Sequence, residues 1–342
     1  MPHHLQNEAA VLTAASQFLN ANASGRGRPE AMASLAAETS QLSLNSLDLW
    51  ERRLRIELWD FKQRTAARRW TIWKKPTAPA SWLDLCNGDG FKREDAMRSL
   101  ADGAPNGFFF ALALRRLNDW VPQVRTAARM HLPRMAERSD PEHVAEALWH
   151  ALPHWMSWGR MKDADRQVLS DLVGMKSIAL IFKARIQQAT TGPVAQILAQ
   201  AGRTQVFDEW LGEFSSTAIQ PAVRAKAFRF LLDGRMTWLV GRKWVWTDVR
   251  WCEGRLEPVL GERPLQHPEP FLTTLKRAIA DRSSLVRRVA AEYLIRRLDS
   301  IGDEAQSIAM QLASDSCHYI AERCRFALAS IHAIEVEKSL RM

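Results

Sequence analysis

A spaced set of residues recurs along the 342-residue chain and restricts its fold more than any other feature. In its full form an Asp is followed by Val at position five, Arg at six, Ala at nine and Leu at thirteen. Positions five, nine and thirteen are four residues apart, so they form one stripe along an α-helix, with a small residue at its centre. The copies are Asp119, Val124, Arg125, Ala128 and Leu132; Ala218, Val223, Arg224, Ala227 and Leu231; Asp281, Val286, Arg287, Ala290 and Leu294; and Asp315, Ile320, Ala321, Cys324 and Leu328.

The Asp and the Arg of this pattern predict contacts between helices. The Asp precedes its helix, where a carboxylate can accept the unpaired N–H groups of the first turn. The Arg lies beside the apolar stripe and can reach the Asp of a neighbouring copy. Asp281 and Asp315 are 34 residues apart, which is the length of a helical pair. A pair of this length cannot bury its apolar face alone, so it must stack on other copies.

These positions resemble those of the HEAT and HEAT-like repeat family, and the clear matches extend over about half of the chain. The resemblance implies an all-α fold, an α-solenoid of helical pairs in which Asp and Arg form a ladder between repeats. Ala218 and Ala321 stand where the ladder would need an Asp and an Arg. We expect the solenoid over residues 81–342, after an Ala/Ser-rich, partly flexible segment (1–44, with a flexible link at 20–29) and a basic amphipathic helix with its linker (45–80).

The composition points to an anionic partner. The net charge is +9, the isoelectric point is about 9.7, and about three quarters of the 47 Lys and Arg residues are Arg. Guanidinium groups bind phosphates and carboxylates with two hydrogen bonds, although a genome rich in Arg and Ala codons would produce the same bias. The four cysteines are scattered and no secretory signal is seen, so we expect reduced thiols and a cytoplasmic protein. Because the apolar runs are short, we expect no membrane segment.

Two helical stretches carry candidate binding groups. Residues 52–75 interleave Arg, Lys and Trp, which suits either a phosphate backbone or a solvated helix that covers the end of the solenoid. Farther on, Glu146, His150 and His154 share a helical face and could bind zinc, but Pro153 distorts the helix there. The surrounding Trp residues could instead pack internally or grip a partner. We predict no metal and no cofactor.

One stretch has the alternation of a β-hairpin. Trp238, Val240, Trp244 and Trp246 alternate around Gly241-Arg242-Lys243, so we predict a hairpin inserted at about residues 236–247 with its tip at these three residues. Such a tip could probe a nucleic-acid groove or an acidic protein, or the hairpin could fold back on the helices. Residues 254–270 are expected to be a Pro-rich loop.

The chain lacks the phosphate-binding, dinucleotide, metalloprotease and serine-hydrolase motifs. We therefore predict a non-enzymatic HEAT-repeat protein that binds nucleic acid or an acidic protein surface. One alternative is a protein–protein scaffold without nucleic acid. Another is a DNA glycosylase of the HEAT-like alkylpurine type, which is similar in its repeats, charge and Trp content, although its catalytic Asp has no match here. The predicted binding residues are Arg125, Arg224, Arg242, Lys243, Trp244, Trp246, Arg250, Arg287 and Arg288.

Overall fold

The computed structural model describes residues 7–67, 79–100, 102–302 and 304–340, without the side chains of residues 66, 67, 299 and 330–340. The chain is predominantly helical, with one antiparallel two-stranded hairpin among the described residues. It divides into two compact units, which we call the N-terminal unit (residues 1–181) and the C-terminal unit (residues 182–342). The end of the predicted basic helix and most of its linker, residues 68–78, lie outside the described residues.

Eight α-helices of the described residues lie wholly within the N-terminal unit. They are α1 (Glu8–Ser24), α2 (Arg28–Ser40), α3 (Leu47–Ala67), α4 (Gly90–Ser99), α5 (Gly107–Arg115), α6 (Pro122–Arg138), α7 (Pro141–Ala151) and α8 (Asp163–Gly174). Helix α9 (Lys176–Gln188) carries the chain from one unit into the next. Helix α4 packs on α6, and α6 packs on α8, while α5 packs on α7.

The C-terminal unit holds the hairpin between two sets of helices. Its elements are α10 (Val194–Ala201), α11 (Leu211–Thr217), α12 (Pro221–Asp233), β1 (Arg235–Asp248), β2 (Glu253–Pro264), α13 (Phe271–Ile279), α14 (Ser284–Arg296), α15 (Leu298–Ile301), α16 (Glu304–Ala313) and α17 (His318–Leu340). Helix α12 packs on α14, and α14 packs on α17. The helices that carry the recurring pattern in this unit are therefore neighbours.

The N-terminal segment is more ordered in secondary structure than its composition suggests. The expected link at residues 20–29 is wrong for most of its length, because α1 continues to Ser24 and α2 begins at Arg28. Gly25 and Gly27 form the turn between them with φ angles of 73° and 64°, a left-handed conformation that glycine adopts without strain. The apolar face of α1, which includes Val11 and Phe18, is buried.

The predicted apolar stripe is confirmed. Val124, Val223, Val286 and Ile320 are completely buried, and so are the four small residues at position nine of the pattern. In the C-terminal unit, Val286, Ala290, Ile320 and Cys324 belong to one hydrophobic core that also contains Tyr293. The stripe is thus the surface through which pattern helices contact their neighbours.

Two of the predicted Asp–Arg contacts are present, both in the C-terminal unit. Arg224 donates its Nε and Nη2 groups to the two carboxylate oxygens of Asp281, at 2.8 and 3.0 Å, and Arg287 binds Asp315 in the same way at 2.5 and 2.9 Å. Asp281 also accepts the backbone N–H of Ser283, at 2.7 Å, so each carboxylate fixes both the start of its own helix and a neighbouring helix.

A further copy of the pattern escaped the sequence analysis. Arg93 in α4 binds both carboxylate oxygens of Asp119 at 2.8 Å and donates its Nη1 group to the carbonyl oxygen of Asn87, six residues earlier. Arg125, Arg224 and Arg287 make the same contact to the residue six positions earlier in their own copies. Asn87 takes the place of the Asp, and its side-chain oxygen accepts the N–H of Asp89. Lys92 stands where the pattern has Val, which hid the match.

Candidate binding surface on the hairpin

The helical residues that we predicted to bind a partner are mostly engaged within the protein. The Arg224 guanidinium is buried and has its hydrogen-bond donors occupied by Asp281 and two carbonyl oxygens. Arg287 is largely buried against Asp315, and half-buried Arg125 donates to the carbonyl of Asp119. Arg288 is exposed on α14. The Arg residues that recur with the helical pairs therefore do not supply a continuous row of free cations.

The hairpin is anchored at its base. Arg263 in β2 binds both carboxylate oxygens of Asp208, at 2.5 and 2.9 Å, and donates its Nε group to the carbonyl oxygen of Gly202, at 2.9 Å. Met236 in β1 is buried against Gly202, where a Cβ atom would collide with the methionine methyl group. Gln200 donates to the carbonyl oxygen of Leu239, at 3.0 Å. These contacts hold the hairpin to the segment around α10.

The tip of the hairpin is not where the sequence placed it. Gly241, Arg242 and Lys243 lie within β1, paired with Val259, Pro258 and Glu257, and the strand simply bulges at Val240. The turn is formed by residues 249–252. The loop expected at residues 254–270 is strand β2 as far as Pro264, and residues 265–270 are neither helix nor strand. Asp248 forms the turn by accepting the N–H groups of Arg250 and Trp251, at 2.9 and 3.2 Å.

Beyond its base the hairpin exposes large apolar side chains on one face. Directly paired residues of antiparallel strands point to the same face, and alternate residues of β2 share a face. One continuous row of side chains therefore runs along this face, made by the pairs Leu239–Leu260, Arg242–Pro258, Trp244–Leu256 and Trp246–Gly254. Its large exposed members, which we call the apolar row, are Trp244, Trp246, Leu256 and Leu260, with exposed fractions of 48, 53, 57 and 58%.

The two indoles of the apolar row are held in place by local contacts. Trp244 and Trp246 meet edge to face, with ring centroids 5.6 Å apart and an interplanar angle of 82°. Gly254 leaves room for the first ring, since a Cβ atom there would lie 2.5 Å from the Trp244 Nε1 atom. The rings are therefore positioned while much of their surface remains in water.

Three cations of the hairpin have no ionic partner among the described residues, and one of them, Lys243, is paired in the strand register with Glu257, on the face opposite the apolar row. On the hairpin, Arg255 pairs with Glu257, Arg235 with Glu262 and Arg263 with Asp208. Arg242, Lys243 and Arg250 are exposed, and no described carboxylate pairs with them. Arg242 stands within the face of the apolar row, and Arg250 is in the turn beside Trp251. The exposed surface thus combines indoles, aliphatic side chains and positive charge.

His150 and His154, which the sequence suggested as zinc ligands, lie at and just beyond the end of α7, away from the hairpin in sequence. The rings of His150 and His154 lie 6.2 Å apart, and α7 ends at Ala151, before Pro153. Burial, and then the neighbouring His154 and Arg115, hold the pKa of His150 below its usual range, so its imidazole is neutral at neutral pH. Within the described part of the chain, no group of three His, Cys, Asp or Glu side chains could hold a metal ion.

No family model, curated protein sequence or solved structure matches this chain. In the described ranges, no helix has the length and apolar character needed to cross a membrane.

Proposed function

We propose that this chain is a non-enzymatic binding protein of HEAT-like helical repeats, whose hairpin grips an acidic protein surface that has an apolar centre. Support for the repeats comes from the pattern helices, which share a buried stripe and an Arg contact to the residue six positions earlier. Side-by-side packing of α12, α14 and α17 is typical of such repeats.

The exposed apolar row carries the proposal. A two-stranded hairpin is marginally stable in water unless a face packs on something else, and here the face that bears Trp244, Trp246 and Leu256 is solvated. Burial of a large apolar side chain contributes roughly 1.5–3 kcal/mol of favourable free energy. A partner that covers this face buries several such side chains, and each adds to the free energy of binding. Trp and Arg are also the residues that most often dominate protein–protein affinity.

A protein partner suits this surface better than a phosphate backbone does. Nucleic acids bind flat aromatic rings by stacking and bind positive charge through their phosphates. The exposed aliphatic side chains of Leu256, Leu260 and Val249 instead suit burial against an apolar protein surface. Arg242, in the face of the apolar row, and Arg250, in the turn, would then pair with carboxylates around that surface. Nucleic acid remains the other outcome of the experiment.

The test is affinity capture with nuclease-treated extract of the source cells. The protein should retain a stoichiometric protein partner, and the double substitution Trp244→Ser, Trp246→Ser should abolish retention. Trp59→Ser is the matched control, because Trp59 is an equally exposed indole in the N-terminal unit. Reversing two charges beside the apolar row with Arg242→Glu and Arg250→Glu should weaken retention as well.

Two results would contradict the proposal. Equal retention by the Trp59 and Trp244/Trp246 variants would show that the hairpin is not the contact. Retention that nuclease abolishes would make nucleic acid, rather than a protein surface, the partner.

A further inference from the structure

A cavity in the N-terminal unit concentrates arginines and tryptophans. Its volume is about 250 Å³, and its walls come from α3, α4, the segment after α5 and the segment after α7. Its lining includes Glu51, Arg55, Arg93, Arg115, Arg116, Asp119, Trp120, Trp158 and Arg160. The sequence analysis passed over this set because its members are dispersed over more than a hundred residues and follow no common spacing.

The carboxylates in the cavity are already shared among arginines. Buried Arg116 bridges Glu51 and Asp119 with contacts of 2.7 and 2.9 Å, and Arg93 takes both oxygens of Asp119. Arg115 donates to Glu51, at 3.1 Å, and pairs with Asp48 outside the cavity lining. With Asp48 included, five positive charges therefore face three negative ones.

The surplus donors belong to side chains that line the cavity. Arg55 donates its Nε group to the carbonyl oxygen of Cys86 and its Nη2 group to Glu51. Arg115 uses Nη1 on Asp48 and Nε on Glu51, so among the described residues neither arginine has an acceptor for its other terminal nitrogen. Arg160 is exposed, and none of the described residues accepts a hydrogen bond from its guanidinium. Three guanidinium groups in one partly desolvated cavity stabilise an oxyanion.

Two indoles add a surface for a flat ring. Trp120 lines the cavity and is 66% exposed, with the Arg93 guanidinium 5.5 Å from its ring centroid. Trp158 lines this cavity and also a second one of about 250 Å³, and Arg115 is common to both. The second cavity presents polar groups from Asn45, Ser157, His150 and His154. Together the two volumes fall within the usual size of a small-molecule site, about 300–1,000 Å³.

We propose that these adjoining cavities bind a small molecule that carries a phosphate on a planar heteroaromatic compound, as a nucleoside monophosphate does. The phosphate lies among Arg55, Arg115 and Arg160, and the ring stacks on an indole. Polar edges of the base meet the amide, hydroxyl and imidazole groups of the second cavity. This site is independent of the hairpin, because all of its residues belong to the N-terminal unit.

The test is calorimetric titration of the full chain with adenosine monophosphate and uridine monophosphate, and with adenosine and inorganic phosphate as partial probes. At least one monophosphate should bind, and more tightly than either partial probe. Arg160→Gln should weaken its binding about tenfold or more, since a charge-assisted contact is lost. Arg52→Gln is the matched control, because Arg52 is an exposed Arg of α3 outside both cavities.

A second variant tests the ring. Trp120→Leu should lower the affinity for the monophosphate several-fold and leave the affinity for inorganic phosphate unchanged. The proposal is overturned if neither monophosphate binds at millimolar concentration, if the Arg52 and Arg160 variants weaken binding equally, or if only a single-stranded oligonucleotide binds. Far-ultraviolet circular dichroism of each variant confirms that the helices are retained.

Discussion

At the scale of single residues, the guanidinium of Arg224 joins three parts of the C-terminal unit. It reaches the carboxylate of Asp281 before α14 and the carbonyl oxygens of Ala218 and Ile219 before its own helix. Side-chain exposure is 2% for Arg224 and 9% for Asp281, so neither charge can be solvated if the other is removed. The pair therefore holds α12 and α14 in one relative position.

We predict that Arg224→Met destabilises the packing of α12 on α14 by about 3–5 kcal/mol, the usual result of leaving a buried charge without its partner. Native-state hydrogen exchange of the α12 and α14 amides measures this change locally. Arg288→Met, at an exposed position of α14, should change the stability of the protein by no more than about 0.5 kcal/mol. Equal protection in the two variants would contradict the role given to Arg224.

Asp315 gives a prediction for acid conditions. Hydrogen bonds from Arg287 hold the pKa of Asp315 below its ordinary value of 3.8. Because the folded pKa is the lower one, the stabilisation is fully present above pH 3.8 and is lost as the pH falls from there through the folded pKa. Asp315→Asn should therefore lower the stability of the α14–α17 contact at neutral pH and flatten its dependence on acid below pH 4. An unchanged acid profile in this variant would contradict the prediction.

The residue pattern shows what the sequence could and could not reveal. The Asp and Arg that bind each other were predictable, because the spacing that places Val286 in the core also places Arg287 beside it. The contact of Arg93 with Asp119 could not be predicted, because Asn87 and Lys92 replace two of the residues that define the pattern. The cavity arginines were hidden for another reason: they converge only when four separate segments pack together.

At the scale of elements, the hairpin shows how local signals mislead. Gly241 looks like a turn residue, but it follows a bulge at Val240 and stays paired with Val259. Pro258 and two glycines give the sequence of β2 the composition of a loop. A Pro is tolerated there because a two-stranded sheet has N–H groups that point away from the partner strand. The Trp alternation was informative, whereas the position of the turn depended on Asp248 and its two backbone contacts.

We predict that the outer part of the hairpin is dispensable for the helical fold. Replacing residues 240–259 by Asn-Gly keeps the Leu239–Leu260 pair and closes it with a two-residue turn. Because the anchoring contacts of Met236 and Arg263 lie closer to the base, the thermal midpoint should fall by no more than a few degrees. Loss of the cooperative calorimetric transition would show that the outer hairpin stabilises the helices instead.

At the scale of the whole molecule, a net charge of +9 does not by itself create a surface for nucleic acid. In the described part of the chain, Arg93, Arg116, Arg224, Arg263 and Arg287 are engaged with carboxylates inside the fold. On the hairpin, the free cations are Arg242, Lys243 and Arg250. The basic composition therefore reflects internal ion pairs as well as exposed charge.

This distribution predicts how the protein responds to salt. If duplex DNA bound only to the three free cations of the hairpin, the logarithm of its affinity would fall with the logarithm of the salt concentration with a slope of about −2.7. We therefore expect weak binding to a labelled duplex, with a slope no steeper than about −3, and no slope remaining after Arg242→Gln, Lys243→Gln and Arg250→Gln are combined. A slope near −8 would require many more phosphate contacts than the hairpin offers. That result would move the binding surface to arginines outside the hairpin and make nucleic acid the partner in place of an acidic protein.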